Sequence, residues 1–254
     1  MGTHSFQVVA NVRALHVLAV GGGGGGANGH SGGGGSGYVT VDTVDVKQGD
    51  VFEVVVGAGG KGADEVRETN LITGNTDGGA SKLGAAVVAD GGKSVYPVAG
   101  RWQDAFNTFG GDGGSGGGAA GYKCVQGHGG MAGNNGADCG SNDDGAWPPI
   151  GAGGSGQGDY TKNLTIFKEN KFTSGEGGLN IANAVASGWV PGGGAGGIIL
   201  NGYGPDAQNG ACPSAPAMGG KGYGAGGGSG GLEGTWVRYA GGNGASGLVY
   251  IEWD

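Results

Sequence analysis

The chain has 254 residues, of which 71 are glycine, 37% are hydrophobic and only 13% are charged, and its net charge is −8. An acidic chain without a basic stripe is not built to bind nucleic acid. The G-X-Y repeat never persists and there are only 7 prolines, which excludes a collagen triple helix, and the bunching of the hydrophobic residues into strand-like runs excludes disorder of the whole chain.

Residues 5–20 (SFQVVANVRALHVLAV) are apolar and β-branched, read as a strand, and end abruptly at the six glycines 21–26. Residues 37–42 alternate apolar and polar, as a half-buried strand does, and residues 44–46 continue it. Lys47-Gln48-Gly49-Asp50 is a turn signal before a further strand over 51–56, so the two strands are expected to form a hairpin. A second glycine tract opens at Gly57, a polar loop covers 64–75, and residues 80–84 lead into a short strand over 85–89. Further glycine runs cover 32–35, 110–118 and 219–231, residues 179–187 have the composition of a short helix, and residues 247–253 read as the final strand.

Glycine has the highest conformational entropy to lose on ordering. A chain so rich in it either uses it as flexible linker or places it where only a hydrogen atom fits. Extended helices with three residues per turn can lie side by side, bonded backbone to backbone, when their facing positions lack side chains. The expected architecture is therefore mainly β. An antiparallel β-sandwich formed by the chain ends carries a packed bundle of polyglycine II helices. In this reading residues 1–254 are a single domain, with 1–92 and 232–254 as scaffold and 93–231 as a glycine bundle with bulky insertions.

Three segments break the glycine pattern with bulk: residues 94–109, 159–189 and 232–239. Their aromatic residues either cover a bundle that has no side-chain core of its own or form a recognition surface. Discrimination between partners needs side chains, and Trp, Tyr and Arg dominate interface hot spots. Tyr96, Trp102, Phe106, Trp189, Trp236, Arg238 and Tyr239 are accordingly the expected partner-binding residues. Cys124 and Cys139 are 15 residues apart across a Gly/Asn-rich stretch and are expected to form a disulfide, leaving Cys212 alone; the alternative is three unpaired small core residues.

Catalytic and cofactor patterns fail. Gly92-Lys93-Ser94 has the ending of a phosphate-binding loop, but Val87 stands where its first glycine belongs. His4, His16, His30 and His128 are too dispersed for a zinc site. The acidic loop with Asp138, Asp143 and Asp144 lacks calcium-loop spacing and reads as solvated. No G-x-S-x-G sits between a strand and a helix pattern. The expectation is no enzyme, no metal and no cofactor. No apolar run reaches membrane-spanning length, so membrane insertion is not expected, and the opening residues lack the pattern of a signal peptide.

Three stretches together carry a resemblance. VLAVGGGGGGANGHSGGGGSGYVTVDTVDVKQGDVFEVVVGAGG, GGASKLGAAVVADGG and GGNGASGLVYIEW resemble the glycine-rich domain of many phage tail-fibre and bacterial surface proteins. The likeness covers residues 17–92 and 217–253, and the middle by composition. A related arrangement is the extracellular glycine-rich domain of anaplastic-lymphoma-kinase-type receptors, and the tip adhesins of T-even-like phages share the polyglycine bundle. The resemblance implies a TNF-like or jelly-roll-like sandwich, a location outside the cell or on a virion surface, and binding of a cell-surface protein or glycan without catalysis. The alternative is a structural subunit, a homo-oligomer assembling into a fibre or matrix through strand edges.

Overall fold

In the computed structural model the described residues are 2–9, 11–29, 32–67, 74–95, 110–118, 166–167, 171–178, 192–211, 217–233 and 237–253. Among them the chain is mainly β, and all paired strands run antiparallel. The strands are β1 (Gly2–Gln7), β2 (Ala14–Val20), β3 (Val39–Asp45), β4 (Val51–Val56), β5 (Val66–Arg67), β6 (Ser81–Leu83), β7 (Val87–Ala89), β8 (Phe172–Ser174), β9 (Ile198–Leu200), β10 (Leu232–Glu233), β11 (Val237–Arg238) and β12 (Leu248–Trp253). They form sheets of order β1-β4-β6-β7, β12-β2-β3, β10-β11-β5 and β8-β9.

The central strand of the second sheet is β2, whose continuous apolar run ALHVLAV explains its place. Leu15, Val17 and Ala19 face the first sheet and share a buried cluster with Leu83, Val87 and Ala89, against which Phe6, Phe52, Val54, Val249 and Ile251 pack. Leu18 and Val20 point the other way and are buried with Phe167, Phe172 and Ile198. That outer cover is the antiparallel β8–β9 pair; directly after β9 a two-residue turn at Asn201-Gly202, both with positive φ, folds the chain back from Leu200 to Tyr203. Asn-Gly is the residue pair such turns favour. The rings of Phe167, Phe172 and Tyr250 meet at centroid distances of 5.3–5.4 Å, within the range of favourable aromatic pairs.

The structure departs from the sequence expectations at several strands. Residues 5–20 are not one strand: β1 and β2 belong to different sheets, and Asn11, at φ 65°, turns the chain between them. The strands on either side of Lys47-Gln48-Gly49-Asp50 do not pair as a hairpin: β3 pairs with β2, and β4 pairs with β1 and β6. Val44 and Val46 from one and Phe52 and Val54 from the other all pack on the same cluster. Each strand reaches that cluster from its own sheet. Residues 85–86 form the turn between β6 and β7 rather than the start of a strand, and residues 232–239 contain β10 and β11.

Glycine-rich segments continue six strands of the two larger sheets. β2 runs on into 21–29, β4 into 57–64 and β7 into 90–95, while 32–38 lead into β3, 74–80 into β6 and 239–247 into β12. Their hydrogen bonds recur every three residues. Gly21, Gly24 and Ala27 donate to Tyr38, Gly35 and Gly32; Gly22 and Gly25 donate to Gly79 and Thr76; Gly23 and Gly26 donate to Ala245 and Gly242. The carbonyls of the same tract accept from other segments: Gly22 from Gly92, Gly23 and Gly26 from Gly60 and Ala63, Gly24 and Ala27 from Gly227 and Gly230. One glycine tract is thus bonded to six neighbouring segments, three receiving and three donating.

This arrangement dictates the residue type. A Cβ on Gly21 or Gly24 would lie 2.0 or 2.2 Å from the carbonyl oxygen of Asp90 or Lys93, on Gly22 or Gly25 2.0 or 1.8 Å from Ala58 or Lys61, and on Gly23 or Gly26 2.0 or 2.2 Å from Ala225 or Gly228. All three directions are filled by backbone. Serine enters the interior where its hydroxyl bonds to that backbone: Ser115 Oγ donates to Gly196 O at 2.7 Å, and Ser36 Oγ accepts from Ser115 N at 2.7 Å. On the outside the same period governs exposure, as in Ala58, Lys61 and Asp64, or Met218 and Lys221.

Candidate functional site

Because the segments continue the strands, the bundle has one end on the two larger sheets and one end away from them. The far end, here the rim, starts from the turn after Ala27. Asn28 is fully buried, and its Nδ2 donates to the carbonyl of Asp64 at 2.9 Å. Gly29 has φ 53°, and its N–H donates to Tyr239 O. A Cβ on Gly29 would lie 2.5 Å from Cγ of Arg238. Glycine is needed there both for the backbone and for the Arg238 stem.

Arg238 lies on β11, flanked by β10 and β5 in register with Leu232 and Val66. It is 2% exposed, among the most buried large side chains. Burial away from water pushes its guanidinium down from its ordinary value. Beside it Asp64 pairs with Lys61 at 2.7 Å and Glu65 with Arg67 at 2.9 Å, all four exposed. Exposed pairs of this kind contribute little to stability; their role is to give the rim polar and charged groups. Ala27, Ala63 and Val95 form a small buried cluster beneath, and Asn75 Nδ2 donates to Val95 O.

Hydrogen bonds bring other segments to this same end. Gly33 donates to Gly118, Gly118 to Gly193, Gly178 to Gly194, Gly231 to Ala211 and Ala211 to Ala240. Residues 29, 67, 74, 95, 118, 178, 192, 211, 233 and 237, each at a border of the described chain, therefore gather around the rim.

The profile of the glycine-rich domain family matches residues 1–254. The chain belongs to that family. No curated protein matches it. Of the residues expected to bind a partner, Arg238 and Tyr239 are described in this glycine-rich domain, and they lie together on the rim. Tyr239 is partly exposed, while Arg238 covers the bundle end from beneath. Tyr96, Trp102, Phe106, Trp189 and Trp236 lie outside the described residues, as do Cys124, Cys139, Cys212 and the expected helix over 179–187. In sequence, Tyr96 directly follows Val95 and Trp236 directly precedes Val237, so each is one peptide bond from the rim. Asn28 and the charged groups of 61–67 were not singled out by sequence reasoning; an Asn amid glycines is the one local signal at residue 28.

Among the described residues of the glycine-rich domain no group of three or more His, Cys, Asp or Glu side chains is arranged to hold a metal ion, and no helix is long and apolar enough to cross a membrane. Arg238→Ala is expected to lower stability by about 2 kcal/mol, through lost packing of the buried stem. Arg238→Met, which keeps most of the stem, should lose less. Chemical denaturation of the two variants checks this; equal losses would refer the effect to the charge instead.

Proposed function

We propose that this glycine-rich domain is a non-enzymatic recognition module acting outside the cell or on a virion surface. It binds a cell-surface protein or glycan through side chains carried at the rim. The observation that carries this reading is the division of labour along the molecule. The bundle interior is backbone and offers almost no side chains, whereas Arg67, Glu65, Lys61, Asp64 and Tyr239 surround the end at which the aromatic segments join in sequence. Loops held on a rigid scaffold are where recognition usually sits.

The finer architecture belongs to the same proposal. The two larger sheets form a TNF-like or jelly-roll-like sandwich, a reading supported by their common buried cluster. The glycine segments form polyglycine II helices, supported by the three-residue hydrogen-bond period and the six neighbours of 21–27. Amide hydrogen exchange tests this: Gly22 through Gly26 should all exchange slowly, at the rate of the sheet core, while exchange at loop rates along the tract would sink the bundle.

Recognition is tested by alanine substitution at Trp102, Trp189 and Trp236, with attachment to cells bearing the partner and thermal stability measured side by side. A true anchor should lose roughly 2 kcal/mol of binding, about thirtyfold in affinity, with the melting temperature kept. If each substitution lowers stability and none selectively lowers attachment, the aromatics only cover the bundle and the assignment fails.

A further inference from the structure

We infer that the outer edge of β1 is a pairing site for β1 of a second copy of this chain, closing a two-fold dimer. The two larger sheets have four edges. Those of β3 and β7 close on each other, with Thr40 Oγ1 donating to Val88 O at 2.8 Å and Tyr38 N to Asp90 O at 2.9 Å. The β12 edge packs against β4 and β6, and the chain before it is tied down by Gly247 N donating to Gly57 O at 2.9 Å. β1 has a bonded strand on one side only: among the described residues no strand pairs with its other side, and its ring contact to β12, Phe6 to Trp253 at 6.1 Å, is made by side chains.

The register says which groups are open. Val8 N donates to Asp50 O, which continues the pairs Phe6↔Phe52, His4↔Val54 and Gly2↔Val56 as the bonded ones. On the far side of β4, Gly84 N donates to Glu53 O, so the odd residues of β4 face β6. Antiparallel alternation then turns the N–H and C=O groups of Thr3, Ser5 and Gln7 away from β4. These are three donors and three acceptors in a row.

Exposed edges are normally blunted by lysine, proline, a bulge or extreme shortness. β1 is GTHSFQ, six residues without lysine, proline or any carboxylate, and five of the six are exposed. Its chemistry suits a copy of itself. Antiparallel pairing about Ser5 sets Ser5 against the partner's Ser5 and Thr3 against the partner's Gln7, satisfies all six open groups, and brings no like charges together. Val9 and Val51, 64% and 61% exposed, add apolar surface at one end of the edge. A contact that uses the same strand on both copies closes on itself, so the product is a dimer and not a fibre. It lies on the sheets, away from the rim, and stands apart from the recognition reading: rim variants should leave it unchanged.

Sedimentation velocity across a concentration series tests this. The wild-type chain is expected to reach a dimer and stop. Ser5→Lys and Ser5→Pro are expected to be monomeric with an unchanged circular dichroism spectrum, because the Ser5 N–H takes no part in the β4 ladder. Ser5→Cys should yield a covalent dimer under mild oxidation, beyond any formed by the wild type, while Thr40→Cys on the closed edge should not. A wild-type chain that stays monomeric, a dimer that survives both Ser5→Lys and Ser5→Pro, or growth into polymers each overturns the inference. If both substitutions unfold the chain, Ser5→Cys decides: failure to cross-link overturns it.

Discussion

Gly25→Ala is expected to destabilise the protein by about 3 kcal/mol or more, the upper part of the range for overpacking a rigid interior. The new methyl would sit 1.8 Å from the Lys61 carbonyl oxygen and 2.4 Å from its carbon, far inside van der Waals contact. The obstacle is backbone held in a hydrogen-bond lattice, so it cannot swing aside as a side chain would. Gly25 N donates to Thr76 O, while Lys61 O accepts from Thr76 N, so moving either segment strains bonds to the third. An opposing effect exists: Gly→Ala normally stabilises by about 0.4–1 kcal/mol through the unfolded chain. Here it is outweighed several-fold. Two controls separate sterics from conformation. Gly2→Ala meets nothing nearer than His4 Nε2 at 3.6 Å and should lie within about 0.5 kcal/mol of wild type. Gly49→Ala meets nothing within 4 Å but has φ 90°, so it should lose only about 1–2 kcal/mol of backbone strain. Urea denaturation of the three variants checks the order. Equal stabilities for Gly25→Ala and Gly2→Ala would mean that the tract is not packed.

The strands legible in the sequence are those whose side-chain pattern is local. Val51–Val56 and Leu248–Trp253 match their apolar runs, because alternation or continuous apolarity over six residues reports burial directly. The break inside residues 5–20 was not legible: Val8 and Val9 keep the run apolar, and Asn11 is the only turn residue before Arg13. β8 and β9 are three residues each, too short for a period, although Asn201-Gly202 marks the turn that follows β9. The glycine lattice is legible in composition but not in pairing. One glycine looks like another, so nothing local says that Gly23 bonds to Ala245. At the rim, Arg238 was singled out by residue type alone. Arginine is seldom fully buried, and its burial here depends on the hydrogen atom that Gly29 presents to its stem. That contact spans most of the chain.

The second large effect is expected at Phe172→Ala, a loss of about 3–5 kcal/mol as for other buried phenylalanines. Phe172 is 6% exposed and holds β8 against the outer face of β2. Its ring lies 5.3 Å from both Phe167 and Tyr250, so truncation opens a cavity and removes two aromatic pairs worth about 0.5–1.5 kcal/mol each beyond area. The cost does not stop at one side chain. Leu18 and Val20 are fully buried under a cover that, among the described residues, consists of the β8–β9 pair, Ile166, Phe167 and Tyr223. Loosening the cover exposes a β2 face as apolar as the one in the core between the sheets. Tyr250→Phe is the matched control. It keeps the ring and removes the hydroxyl that donates to Glu252 at 2.9 Å, a net change of about 1 kcal/mol. Denaturation gives the totals, and a double-mutant cycle between Phe172→Ala and Tyr250→Ala isolates the pair. Amide exchange at Ile198–Leu200 supplies the structural readout, because those residues pair with β8. If Phe172→Ala speeds exchange there and leaves β2 and β12 protected, the β8–β9 pair is a separable cover. If β2 loses protection with it, the cover is part of the one cooperative core, which the continuous burial of Leu18 and Val20 leads us to expect.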